Sequence, residues 1–505
     1  MKFLATLACS IAVVRRVEAS PVSSVLHPTR GTVSSATVSS ELGASLSNGT
    51  MIYGLGTAEF DTLTHRWGTF AAPQVQVVIE PAAESDVSKI VQYSNKNGIE
   101  FIAYSGGHGT PKSLATFNGI QINMNKLTSV SIQPDGKSVW AQGGTLAGQA
   151  NSYLWDKGYV VTTGSCNCVS LAGAGLGGGH GPLEGFYGLV TDNILQLNVV
   201  LADGSAVRAS ATENSDLFWA MRGAGHNFGI VTSMQLKINP RGPLTWLYKN
   251  YFWAGDQLET VFEALNNLHG NGTTPTIMAY NVGNIMVSPN ISTTEPVLFW
   301  QFAIRGTAEE AAEYIAPFDA IPAVSSTSTN VPYYEIAHTS FTGVDDVACT
   351  STLDRVLNTA GLQVWNITAE RQIYDSFKKR LAERPDYYSG ALLIHEGYAT
   401  KAVTEIDPNS TAYPFREDHH LTQFQGNLPA NSTEVGPMQD WGKEVLDLWN
   451  GGQPDRLPDA YVNYASGFES LQEIYGHEPW RISKLLDAKK KYDPLNRFKY
   501  YNPLV

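Results

Sequence analysis

Positive charge is scarce in this sequence. Its 505 residues include 34 lysines and arginines against 47 acidic residues, a formal net charge of -13. Such a balance argues against nucleic acid and anionic membrane surfaces as partners. The compact basic run Lys489–Lys491 reads as a solvated helix face. Cysteine is scarce too, with 4 in the chain, which excludes a disulfide-built scaffold. Past the N-terminus no apolar run is long enough for a transmembrane segment. No repeat at solenoid periods is present, and no G-x-S-x-G nucleophile elbow. No second Cys/His cluster joins Cys166-x-Cys168, so no metal is expected.

The N-terminus reads MKFLATLACSIAVVRRVEAS. A lysine, a short apolar run and small residues around Ala19 predict a signal peptide over 1–19, although Arg15 and Arg16 are unusual after the run. Six Asn-x-Ser/Thr sequons, at Asn48, Asn271, Asn290, Asn366, Asn409 and Asn431, point the same way. A secreted or secretory-pathway glycoprotein is expected. Loss of Cys9 with the leader would leave Cys166, Cys168 and Cys349, an odd number. In an oxidising compartment the odd thiol is buried and free, paired between chains, or bonded to something other than cysteine.

Residues 20–66, rich in Ser, Thr, Val and Gly over 20–50, are expected to form a loose lead-in. A strand–helix–strand unit follows: VQVVIEP, then ESDVSKIVQYSNKNG with apolar residues at near-helical spacing, then IEFIAYSGGHG. Short strands separated by Gly, Asp and Asn run from 119 to 240, and the ADG at 202–204 predicts a hairpin. Strands and helices alternate from 241 to 460, as expected of a second α/β domain on an antiparallel sheet. Residues 461–505 form a closing segment with a helix over 478–494 and an aromatic tail.

Three stretches carry chemistry. GAGLGGGHG (173–181) fits a dinucleotide fingerprint in letters, but it lacks the flanking strand, helix and acidic residue; a glycine-rich turn whose amides face an anion is better supported. GSCNCVS (164–170) holds either a buried inert thiol or one bonded to a cofactor. SGGHG (105–109) sets His108 among small residues that cannot pack its ring, so something non-local must approach it.

Taken in order, these stretches resemble the berberine bridge enzyme-like FAD-linked oxidases of the vanillyl-alcohol-oxidase superfamily. SDVSKIVQYSNKNGIEFIAYSGGH, VWAQGGTL, GSCNCVSLAGAGLGGGHGPLEGFYGLVTDN, NSDLFWAMRGAGHNFGIVT, YVNY and KKYDPLNRF match the family's motifs across about 70–500. Tyr104 and Gly109 stand where the family usually has Arg and Ser.

The resemblance implies an α+β fold: a two-part PCMH-type FAD-binding domain over 67–240 and a substrate domain over 241–460, with 461–505 returning to the first. It implies FAD bound covalently through His108, with Cys166 as a second candidate tether. Ser105, Gly106, Gly107, Gly177, Gly178 and Gly179 would line the cofactor, and Asp192, Asn193, Gly229, Ile230 and Val231 would close around it. Tyr461, Glu405 and Gln423 are the candidate catalytic residues. The style is that of fungal members, and a monomer is expected. The expected function is oxidation of a small molecule, a secondary metabolite by preference, with reoxidation by molecular oxygen. A carbohydrate (oligosaccharide) oxidase and a flavin-bound cyclase or binder are the alternatives.

Overall fold

The computed structural model describes residues 32–270 and 274–505. The signal-peptide segment 1–19 and the Asn271 sequon lie outside the described residues.

The first layer is a four-stranded sheet in the order Met51–Gly54, Gln74–Glu80, Asn118–Asn123, Glu100–Tyr104. Its three inner pairings combine two parallel ladders with one antiparallel edge. The helix Glu84–Lys96 makes the crossover, and its apolar stripe of Val87, Ile90 and Val91 is buried against Val77 and Ile79. Residues 33–54 are not a loose lead-in. Ser34 caps the helix Ser35–Leu42, and Val38 and Leu42, four residues apart on one face, join the same core. Composition concealed this because the helix has only two large apolar residues, Val38 and Leu42, and both are buried.

A five-stranded antiparallel sheet follows, ordered Val130–Ile132, Ser138–Gln142, Ile230–Lys237, Ile194–Val200, Ala206–Ser210. The predicted hairpin at 202–204 joins its last two strands, with Gly204 at φ +85°. The chain's end packs here as well. Tyr475, Leu485 and Leu504 share a core with Leu197 and Met234, and Arg497 pairs with Glu100 at 3.0 Å.

The third layer is a seven-stranded antiparallel sheet, ordered Ser325–Val331, Trp246–Ala254, Ser292–Ile304, Met278–Ser288, Leu392–Glu396, His420–Pro429, Leu353–Leu362. Alternation divides its faces. Trp253, Ile285, Leu298 and Trp300 point into a core shared with the helices Leu258–His269, Ile367–Glu383 and Gly436–Gly451. Burying a ring of that size contributes about 5 kcal/mol of transfer free energy before entropy is counted. The residues between them face a cavity.

Asn48, Asn290, Asn409 and Asn431 are exposed. Asn366 differs: it caps the helix Ile367–Glu383, accepting from the Ala369 N–H and donating to the Gly452 carbonyl. A glycan at that nitrogen would compete with the cap, so Asn366 reads as a structural residue.

Candidate functional site

A cavity of about 880 Å³ lies between the small sheets and the cavity face of the seven-stranded sheet. One wall begins where the strand Glu100–Tyr104 ends. Ser105, Gly106, Gly107 and His108 all line it. Gly107 has φ +68°, and a Cβ on Gly106 would sit 2.9 Å from the Cys168 carbonyl oxygen and the Ser170 nitrogen. The glycines therefore let two backbone segments meet and leave room for a ligand. His108 Nδ1–H donates to the Gly106 carbonyl at 2.9 Å, and the ring stacks on Trp67 at 5.4 Å between centroids. Burial pulls the His108 pKa down to about 4, and the Arg355 and Arg66 charges add to this. At neutral pH the imidazole is uncharged.

Cys168 and Cys349 form a disulfide, so the odd thiol is Cys166. Its Sγ lies in the cavity wall, 3.3 Å from Cys168 Sγ and 3.5 Å from Cys349 Sγ. Burial pushes its pKa up to about 11, so it is a thiol at neutral pH. His108, Cys166 and Cys168 cluster within 4.8 Å. With the Cys168 sulfur committed to the disulfide, the group cannot supply the ligand set of a zinc site.

The same wall holds polar groups without partners. Arg66 Nε and Nη1 and Ser105 Oγ are buried and unbonded. A buried, unpaired guanidinium is costly and calls for an anion. Next to bare glycine amides, these groups fit a ligand that carries a diphosphate and a flat ring system.

Gly229, Ile230, Val231 and Gly179 also line the cavity. Gly177 and Gly178 do not: they pack behind it, against Asn463 and against Tyr413 and Tyr461. Asp192 and Asn193 are likewise corrected. Asp192 makes a two-pronged pair with Arg416 at 2.6 and 2.7 Å, and Asn193 donates to the carbonyls of Tyr187 and Leu189. They hold the turn leading into Ile194–Val200 instead of facing a ligand.

On the opposite wall Tyr461 and Gln423 line the cavity. The Tyr461 hydroxyl oxygen accepts from the Gly179 N–H at 2.8 Å and from Asn463 Nδ2 at 2.6 Å, which fixes the ring. Glu405 is not part of the site. It follows the short helix Lys401–Thr404, its side chain is 61% exposed, and it pairs with Lys401. The residue sits in a surface turn, away from the cavity lining.

The buried carboxylate of the cavity is Glu396, which sequence reasoning missed. It ends the strand Leu392–Glu396, accepts from the Tyr464 hydroxyl at 2.9 Å through Oε1, and leaves Oε2 unbonded. Burial raises its pKa to about 7, while the Tyr464 bond and the charge of His180 pull the other way. Tyr464 packs edge-on against Tyr461 with centroids 4.9 Å apart. Tyr398 closes the corner through a bond to Ser165. In LLIHE the acid shares its side of the strand with Leu392 and Ile394, which line the cavity with it.

The FAD binding domain family matches residues 75–210. The FAD-linked oxidoreductase anuG of Penicillium roqueforti (strain FM164) is 48% identical, over 94% of this chain and 94% of its own length. The fold is shared with two solved structures, each at 21% identity. Physcomitrella patens BBE-like 1 has a TM-score of 0.77 over 94% of this chain and 100% of that one. Glucooligosaccharide oxidase from Acremonium strictum, described with a 6-S-cysteinyl, 8α-N1-histidyl FAD, has a TM-score of 0.76 over 91% of this chain and 97% of that one.

Proposed function

Since the chain belongs to the berberine bridge enzyme-like family of FAD-linked oxidoreductases, we propose that it oxidises a neutral, largely apolar alcohol of secondary metabolism, with Glu396 as the base. The observation that carries this is the unbonded Oε2 of a buried carboxylate whose other oxygen is held by Tyr464.

The substrate wall supports the choice of class. Paired residues place Phe252, Phe299, Asn284, Ile394 and Gln423 in one row across the sheet. Met286, Leu392, Gln425 and Leu357 make the next row outward. Arg355 is the other charged side chain on this face among the described residues. A floor made mainly of apolar groups and amides suits an uncharged substrate.

Glu396 would take the hydroxyl proton through Oε2, and Tyr464 would steady the carboxylate. Tyr461, immobilised by Gly179 and Asn463, would orient the substrate beside it. Bound FAD would supply the hydride acceptor and, by passing electrons to molecular oxygen, complete an oxidase cycle. Arg66, Ser105 and the amides of the glycine turn would hold its diphosphate, with His108 and Cys166 as tethers.

The amides Asn284, Gln301, Gln423 and Gln425 favour one second reading, oxidation of an oligosaccharide. The disulfide and the exposed sequons support a secretory route.

Anaerobic mixing separates the readings. Aryl and alkyl alcohols should bleach the flavin and cello-oligosaccharides should not; product formed from a flavin that stays yellow would instead mark a cyclase. A base must be ionised to accept a proton, so kcat/KM should rise with pH through about 7, following the pKa of Glu396. Glu396→Gln should lower kcat/KM about 10²–10⁴-fold and abolish that limb. An unchanged profile in this variant would remove Glu396 from the chemistry. His108→Ala should leave part of the flavin on acid-precipitated chain through Cys166; full release would make Cys166 a plain buried thiol.

A further inference from the structure

Residues 341–349 form the rim of the cavity, where Phe341 and Val347 are 59% and 77% exposed. Single exposed apolar side chains are ordinary. Here Phe341, Val344 and Val347 crowd one short stretch at a cavity mouth. Phe341 is also one of the few non-glycine residues at positive φ, at +64°. A bulky residue pays strain for that conformation, and such strain persists only where the surroundings impose it.

The surroundings do so. The Thr342 N–H donates to the Ala337 carbonyl at 2.7 Å, and the Thr342 carbonyl accepts from the Asn167 N–H at 3.0 Å. Thr342 Oγ1 donates to the Ser165 carbonyl at 3.2 Å, and Trp67 Nε1 donates to the Ala348 carbonyl at 2.8 Å. The Cys168–Cys349 disulfide fastens the far end to the cofactor wall. A rigid backbone thus presents an exposed ring in a costly conformation. The ring lies 6.2 Å from Phe299, which stacks on Phe252 at 4.4 Å. Phe252, Phe299 and Phe341 make an aromatic ladder from the floor of the cavity to its mouth.

We propose that Phe341 is a specificity-determining residue, covering an apolar tail of the substrate that extends outward from the reacting alcohol along the Phe252–Phe299 stack. This rests on the oxidase reading above. A ring kept for folding would sit buried in relaxed backbone. This ring is exposed and strained, as expected of a surface that a ligand completes.

The test uses the full-length flavin-loaded protein and three probes: benzyl alcohol, 4-butylbenzyl alcohol and 4-octylbenzyl alcohol. In the wild type kcat/KM should increase with tail length. Phe341→Gly should lower kcat/KM for the octyl probe about tenfold, mostly through KM, and leave benzyl alcohol within about twofold, the size expected for one lost apolar contact. Glycine accepts positive φ, so the thermal midpoint should not fall. Phe341→Ala should show the same selectivity at a lower midpoint, because it keeps the strain.

Equal losses on all three probes with a lowered midpoint in Phe341→Gly would assign the ring a structural role and overturn the proposal. So would wild-type turnover that ignores tail length. If no alcohol bleaches the wild-type flavin, the alcohol-oxidase reading itself fails, a result distinct from either.

Discussion

The two walls of the cavity are made of different material. The cofactor wall relies on backbone: bare glycines, close-packed carbonyls, and one imidazole turned inward by its own Gly106 carbonyl. The opposite wall relies on side chains projecting from alternate positions of six strands of the seven-stranded sheet. A wall of the first kind tolerates almost no added atom. A wall of the second kind can change its contents and keep its shape. One fold can thereby hold one cofactor and meet many substrates.

The contrast can be broken at its stiffest point. Gly106→Val should abolish covalent flavin loading, because the new carbons would meet the Cys168 carbonyl and the Ser170 amide instead of a movable side chain. Absorbance of the purified chain after acid precipitation checks this. A smaller change on the opposite wall, the loss of one methylene in Ile394→Val, should leave loading intact and alter KM alone.

The next effect belongs to the link between the walls. Cys168 and Cys349 are separated by 181 residues, so their bond restricts a long loop of the unfolded chain. Reducing it should lower the free energy of unfolding by roughly 2–5 kcal/mol, measured by denaturant titration with and without a thiol reductant. The smallest effect should come from the surface. Glu405→Gln removes one exposed ion pair with Lys401, worth about 0.3–0.5 kcal/mol at most, and should leave turnover unchanged. A drop comparable with that of Glu396→Gln would reverse the assignment of the two acids.

The same contrast explains what could be read in advance. The glycine turn was legible because Ser105, Gly106, Gly107 and His108 are contiguous and odd in composition. The parallel strand–helix–strand unit and the 202–204 hairpin were legible for the same local reason. Glu396 was not. Choosing between it and Glu405 needs to know that Leu392–Glu396 is a strand and that 401–404 is a helix. It also needs the pairing that sets Glu396 beside Val282 in space. Asp192 misled for the opposite reason: it lies within a recognisable loop, yet its partner Arg416 is 224 positions away and visible only after folding.

The three sulfurs bear on how the protein matures. Three pairings are available to Cys166, Cys168 and Cys349, and only the one in the structure leaves residue 166 a thiol. Cys166 and Cys168 emerge together, long before Cys349 does, so the wrong neighbour is the first on offer. A chain trapped in that pairing has nothing at 166 to offer a cofactor. Colour retained by His108→Ala would then count the chains that delayed oxidation until both halves had been made, an optical record of the order in which the molecule was assembled.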